Sequence, residues 1–76
     1  MYKTEVRTLK GGTTFVDVSV PSWYDEQDIK DDWRSFRYRA IRALCAHRGV
    51  NRIGRLSMET YIWRGNEIVA VRFREH

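Results

Sequence analysis

The chain is poor in residues that cross-link or break structure. It contains one cysteine, Cys45, and one proline, Pro21, among 76 residues. A single cysteine excludes an intrachain disulfide, which argues against a small secreted scaffold and favours a reducing compartment. We therefore expect a cytoplasmic protein.

Long apolar segments are also absent. No apolar run approaches the roughly 20 residues that a membrane-spanning helix needs. The first ten residues alternate like a strand, where a signal peptide would carry an apolar segment. We expect no membrane partner. Because the chain has no linker or internal repeat, we expect one compact domain over residues 1–76, small enough for self-association to add useful stability.

Patterns typical of catalysis are missing as well. Cys45 and His47 lie two positions apart in a predicted helix, so their side chains point in different directions and form neither a dyad nor a shared metal site. His47 falls on the apolar side of that helix and is interpreted as a core residue. Acids concentrated in residues 25–32 suit a helix N-terminus without any ligand. We predict a non-enzymatic protein with no catalytic residue, no metal and no cofactor.

Arginine is abundant instead. Eleven of the fourteen basic residues are arginine, and the net charge is +4. Residues 22–33 carry five acids and one base, whereas residues 34–76 carry ten bases and three acids. Arginine favours planar, bidentate or stacking contacts with phosphates, carboxylates and aromatic rings.

Two β-hairpins are predicted from glycine positions and cross-strand pairing. The first joins strands at residues 2–9 and 14–20 through a three-residue loop over residues 11–13, a register that pairs Val6 with Val18 and Arg7 with Asp17. The second turns at Gly65 and Asn66 through a two-residue loop. Its straight register pairs Glu59 with Arg72, Ile62 with Val69 and Met58 with Phe73.

One amphipathic helix is predicted between the hairpins, over residues 25–48. Its apolar stripe recurs at three- and four-residue steps and comprises Ile29, Trp33, Phe36, Ala40, Ala43, Leu44 and His47. Ser22 or Asp25 is expected to cap its start and Gly49 to end it. The predicted fold class is α+β, in the order ββαββ, with two antiparallel hairpins forming a sheet and the helix packed on one face.

The sheet face opposite the helix is the first candidate site. The straight register places on it Arg7, Phe15, Tyr61, Trp63, Arg72 and Arg74. Such a surface suits a protein interface, where tryptophan, tyrosine and arginine are preferred anchors. The second interpretation is a stacking platform for single-stranded nucleic acid, and the third is a purely structural role.

The connector after the helix is the second candidate site. Residues 48–55 place Arg48, Arg52 and Arg55 around two glycines, where they and exposed backbone amides could contact phosphate. The preferred interpretation is structural: the helix dipole favours arginines near a helix C-terminus, and Val50 or Ile53 anchors the loop.

The sequence therefore predicts a small binding module that acts through protein–protein contact, either with its own copy or with a larger partner. Its size suits an accessory, regulatory or inhibitory protein, such as those of mobile elements. The alternative is a basic nucleic-acid-binding domain that uses the aromatic sheet face and the connector.

Overall fold

The computed structural model describes residues 3–76, whose elements follow the order ββααββ. The strands are β1 (Thr4–Thr8), β2 (Thr14–Ser19), β3 (Leu56–Arg64) and β4 (Glu67–Glu75), and the helices are α1 (Glu26–Asp31) and α2 (Trp33–Arg48). All four strands form one antiparallel sheet in the order β1-β2-β4-β3, with the helices packed on one face. The predicted α+β class is confirmed. The predicted start of the first strand at Tyr2 lies outside the described residues.

The first hairpin keeps its predicted faces but not its predicted register. Val6 pairs with Val16 and Arg7 with Phe15, two positions away from the predicted partners. The loop differs from the predicted one because Gly12 adopts the positive φ of 88°. The Gly12 N–H donates to the Leu9 carbonyl at 2.9 Å. This is a three-residue loop with glycine at the left-handed position, shifted by one residue. An even change of register leaves every side chain on its predicted face.

The second hairpin contains two register shifts, one in each strand, so that the predicted pairing is restored after the second. Register shifts between Met58 and Thr60 and between Ile62 and Trp63 leave Glu59 extra in β3 and Val69 extra in β4. Bulges of this kind increase strand twist. The Val69 carbonyl accepts a hydrogen bond from the Val20 N–H at 2.9 Å, so the bulge is tied to the neighbouring strand.

From Thr60 to Trp63 the faces of β3 are inverted relative to the prediction, and the predicted positions of Tyr61 and Trp63 are wrong. Tyr61 pairs with the fully buried Val71 and packs against the core. Trp63 pairs with Ile68, which is also buried. Directly paired residues share a face, so both aromatic side chains lie on the helix side of the sheet.

The helical segment is divided where one helix was predicted. Asp32 separates α1 from α2 with φ −107° and ψ 21°. Its carboxylate accepts a hydrogen bond from the Tyr24 hydroxyl at 3.0 Å. The predicted ends are confirmed: Asp25 forms a reciprocal capping box with Asp28, and Gly49 closes α2 with φ 66°.

The core lies between the helices and the sheet. Its buried apolar residues are Val16, Val18, Ile29, Phe36, Ala40, Leu44, Leu56, Ile68, Val71 and Phe73. The Trp33 ring packs on Phe73 with centroids 5.2 Å apart, as the predicted stripe requires. His47, however, is exposed, and its prediction as a core residue is wrong, because the buried side of α2 ends at Leu44.

Candidate interaction surfaces

The sheet face away from the helices, here called the open face, is occupied by internally paired charge. Arg72 donates from Nε to Asp17 Oδ1 at 2.7 Å and from Nη2 to Asp17 Oδ2 at 2.9 Å. These hydrogen bonds raise the pKa of Arg72. The guanidinium carbon also lies 5.1 Å from the centroid of the Phe15 ring. Arg72 and Phe15 therefore share the open face, but Arg72 already bonds Asp17 and lies over the Phe15 ring.

The two remaining arginines of the open face also have acidic neighbours. Arg7 lies 3.0 Å from Glu5 and 3.8 Å from Asp17. Arg74 lies 3.9 Å from Glu59. Both arginine side chains are about half exposed. The open face thus brings together Arg7, Phe15, Arg72 and Arg74 without Tyr61 and Trp63.

Trp63 instead contributes to a groove at one end of the helix side, here called the aromatic groove. The groove has a volume of about 240 Å³ and is lined by Tyr24, Asp25, Glu26, Trp63, Asn66, Glu67 and Ile68. Trp63 is 54% exposed. Tyr24 reaches the groove from the segment before α1, which the sequence did not place next to the turn of the second hairpin.

Arg48, the first of the three predicted connector arginines, is already paired within the fold. It donates from Nη1 to Glu75 Oε2 at 2.6 Å and from Nη2 to Glu75 Oε1 at 2.5 Å. The hydrogen bonds from Arg48, joined by the Gly54 backbone, hold the pKa of the Glu75 carboxyl below its usual range. Arg48 therefore fastens the end of α2 to the end of β4.

The end of the chain fixes the connector. The His76 N–H donates to the Arg55 carbonyl at 2.9 Å. A Cβ on Gly54 would stand only 3.0 Å from the His76 carbonyl oxygen, so glycine permits this close approach. Ile53 packs against the core from the same segment. The connector is thus anchored at several points, which gives Arg52 and Arg55 a defined place beside α2.

Arg52 and Arg55 converge with a third arginine that the sequence did not identify. A groove of about 370 Å³, here called the arginine groove, is lined by Arg37, Ile41, Asn51, Arg52, Ile53, Gly54 and Arg55. A neighbouring groove shares Ile41 and Asn51 with it and continues to Arg42 and Cys45. Helical periodicity places Arg37 on one flank of α2, but only the path of the connector shows that Arg52 and Arg55 face that flank.

Tyr38 was also missed by the sequence reasoning. It is 60% exposed on the outer side of α2. The guanidinium carbon of Arg42 lies 5.8 Å from the centroid of its ring, and Arg34 lies one turn earlier. A spacing of four residues between Arg34, Tyr38 and Arg42 would have revealed this cluster.

The arginines of α2 and the connector lie in a segment without acids. Residues 33–58 contain seven arginines and no aspartate or glutamate. Arg48 takes part in an ion pair, whereas Arg34, Arg37, Arg42, Arg52 and Arg55 take part in none that is recorded within residues 3–76. The acids of α1 are used locally: Asp25 caps the helix and Glu26 lies 3.2 Å from Lys30. Neither of these two acids is recorded in an ion pair with Arg34, Arg37 or Arg42 of α2 within residues 3–76.

Residues 3–76 hold no group of three or more histidine, cysteine, aspartate or glutamate side chains placed to bind a metal ion. Within the same range, neither helix has the length and apolar character needed to cross a membrane. Comparisons of the chain with protein-family models, curated proteins and solved structures give no match.

Proposed function

We propose that this protein binds the phosphate backbone of nucleic acid through the arginine groove and the adjoining outer side of α2. The observation that carries the proposal is the convergence of Arg37, Arg52 and Arg55 in one groove of an acid-free segment. Guanidinium groups match phosphate oxygens bidentately and retain their charge at any physiological pH. A polyanion is therefore the partner whose chemistry fits this surface.

The exposed ring of Tyr38 favours a single strand over a duplex. Bases of unpaired nucleotides stack on aromatic rings and on guanidinium planes, and both are present where Arg42 lies over Tyr38. Arginines along the groove would follow the backbone while Tyr38 receives a base. Neither contact reads sequence, so we expect binding with little base preference.

The proposal replaces the sheet platform with a different surface. Because Tyr61 and Trp63 lie on the helix side, they do not join Arg72 in a single stacking or docking face. The arginines of the open face already have acidic neighbours, which would have to be displaced by phosphate. We also propose a non-enzymatic accessory role in a reducing, cytoplasmic setting.

A direct test removes two arginines from the groove and two from the open face. R52Q/R55Q and R7Q/R74Q each lose two positive charges, so their net charges match. Binding of a fluorescein-labelled, mixed-sequence single strand is measured by anisotropy over a range of salt. We expect R52Q/R55Q to bind at least about tenfold more weakly, which corresponds to about 1.4 kcal/mol. The slope of log affinity against log salt should flatten by about 1.4 if each arginine contacts one phosphate.

The matched variant separates local contact from general charge. R7Q/R74Q should retain most of the affinity and nearly all of the salt slope. Equal losses in the two variants would show that only net charge matters. Unchanged binding by R52Q/R55Q, or wild-type binding that does not respond to salt, would refute the proposal.

A further inference from the structure

The aromatic groove carries chemistry opposite to that of the arginine groove. Its floor and walls are apolar or aromatic through Tyr24, Trp63 and Ile68, and its rim carries the carboxylates of Asp25, Glu26 and Glu67. Within residues 3–76, the Glu67 side chain has no recorded hydrogen bond or ion pair. An aromatic surface beside an unpaired carboxylate is suited to a cation.

One wall of this groove is fixed in place before any partner arrives. The Tyr24 hydroxyl donates to Asp32 at 3.0 Å, and its ring meets the buried Phe36 edge-on with centroids 6.0 Å apart. Asp25 is likewise held by the capping box of α1. Binding would therefore order little of the groove, which lowers its entropic cost.

The cation best matched to the groove is a guanidinium. Arginine stacks its planar group on indole or phenol rings and pairs with carboxylates through parallel N–H donors. A volume of about 240 Å³ suits one side chain rather than a folded surface. The rim carboxylates would repel phosphate, so this groove and the arginine groove select different partners.

We propose that the aromatic groove receives an arginine side chain from an exposed segment of a partner protein, stacked on Trp63 and paired with Glu67. The proposal does not depend on nucleic-acid binding, because its groove shares no residue with the arginine groove. It gives the predicted protein-contact function a site other than the open face.

The test uses a capped tripeptide, acetyl-Gly-Arg-Gly-amide, and its citrulline analogue, which has the same shape and no charge. Each is titrated into the ¹⁵N-labelled full chain, and amide and indole signals are followed by NMR. We expect dose-dependent shifts of the Trp63 indole and the Glu67 amide. Affinity for the citrulline peptide should be lower by about fivefold or more, since exposed cation–π and ion-pair contacts are both lost.

Three variants locate the contact. Glu67→Gln removes only the free carboxylate, at an exposed strand end, and should weaken arginine-peptide binding several-fold. Trp63→Ala should also weaken arginine-peptide binding several-fold. Because this variant lacks the indole signal, its binding is followed through the Glu67 amide. Leu9→Ala is the control, because Leu9 is an exposed apolar residue that does not line the groove, and binding by this variant should be unchanged.

Several outcomes would overturn the proposal. Equal affinity for the arginine and citrulline peptides would exclude guanidinium recognition. Shifts scattered over the surface, or insensitive to Glu67→Gln, would exclude this groove. Concentration-dependent shifts of the same signals without peptide would assign the groove to a second copy of the chain. An added oligonucleotide should leave peptide binding intact, so either proposal can fail without the other.

Discussion

We expect Arg72 to stabilise the fold through its ion pair with Asp17 and not to bind a partner. The substitutions Asp17→Asn and Arg72→Gln, alone and together, test this expectation. The Asp17 side chain is 12% exposed and that of Arg72 is 24% exposed. Losing one partner of a fully buried pair costs about 3–5 kcal/mol, whereas an exposed pair contributes about 0–1 kcal/mol. This half-buried, bidentate pair lies between these limits, and we expect each substitution to cost about 1–2 kcal/mol.

The assay is a double-mutant cycle by urea unfolding, followed through tryptophan fluorescence. A coupling free energy of about 1 kcal/mol is expected, since the double variant loses an interaction that either single variant has already removed. Melting temperatures should fall by roughly 4–8 °C per kcal/mol in a domain of this size. Arg74→Gln is the control on the same strand and face, where the nearest acid oxygen is 3.9 Å away, and its cost should stay below about 0.5 kcal/mol.

Two results would refute this reasoning. Additive effects of Asp17→Asn and Arg72→Gln would show that the pair contributes no coupling to stability. The second result concerns oligonucleotide affinity. If folded Arg72→Gln lost as much affinity as R52Q/R55Q, Arg72 would be a binding residue. We expect instead that Arg72→Gln changes stability while leaving oligonucleotide affinity within about twofold, allowing for one lost surface charge.

Two further predictions follow from the register of β3 and from the Arg48–Glu75 pair. Tyr61→Ala should cost about 2 kcal/mol because the ring packs against the core, whereas Ile62→Thr on the open face should cost less than about 1 kcal/mol; urea unfolding that reverses this order would support the straight register. The lowered pKa of Glu75 means that its ion pair stabilises the fold fully above the ordinary value of 4.5 and loses that contribution as pH falls through the folded-state pKa. The stability gap between wild type and Glu75→Gln, measured by urea unfolding, should therefore narrow below pH 4.5, and a gap independent of pH would contradict this assignment.

Local signals in the sequence were sufficient for the elements of this fold. Gly65 and Asn66 form the second turn, Gly49 ends the helical segment, and the apolar stripe through Phe36 and Leu44 faces the sheet. Each signal involves residues close together in the chain and a turn or helix geometry that few residues can adopt. For this reason the hairpins and the helical region were predictable.

The faces of β3 were not predictable, because both registers give reasonable pairs. The straight register sets Glu59 opposite Arg72, an attractive ion pair. In the structure Thr60 faces Arg72, which instead bonds Asp17 on the other side, in β2. Since the sequence does not give the strand order β1-β2-β4-β3, it could not show that Arg72 has a better acidic partner across the sheet.

The arginine groove could not be predicted either, because it depends on contacts between residues far apart in the sequence. Its positive charge is preserved by the way in which the acids are paired elsewhere. Asp17, Glu75 and Glu5 pair with arginines of the sheet or the end of α2, while Asp25, Asp28 and Glu26 serve the N-terminus of α1 or Lys30. Within residues 3–76 no acid is recorded in an ion pair with Arg37, Arg52 or Arg55. The Glu75 carboxylate lies beside Gly54 at this groove, but Arg48 already holds it through two hydrogen bonds. A phosphate that enters the groove therefore meets guanidinium groups with no recorded acidic partner within residues 3–76.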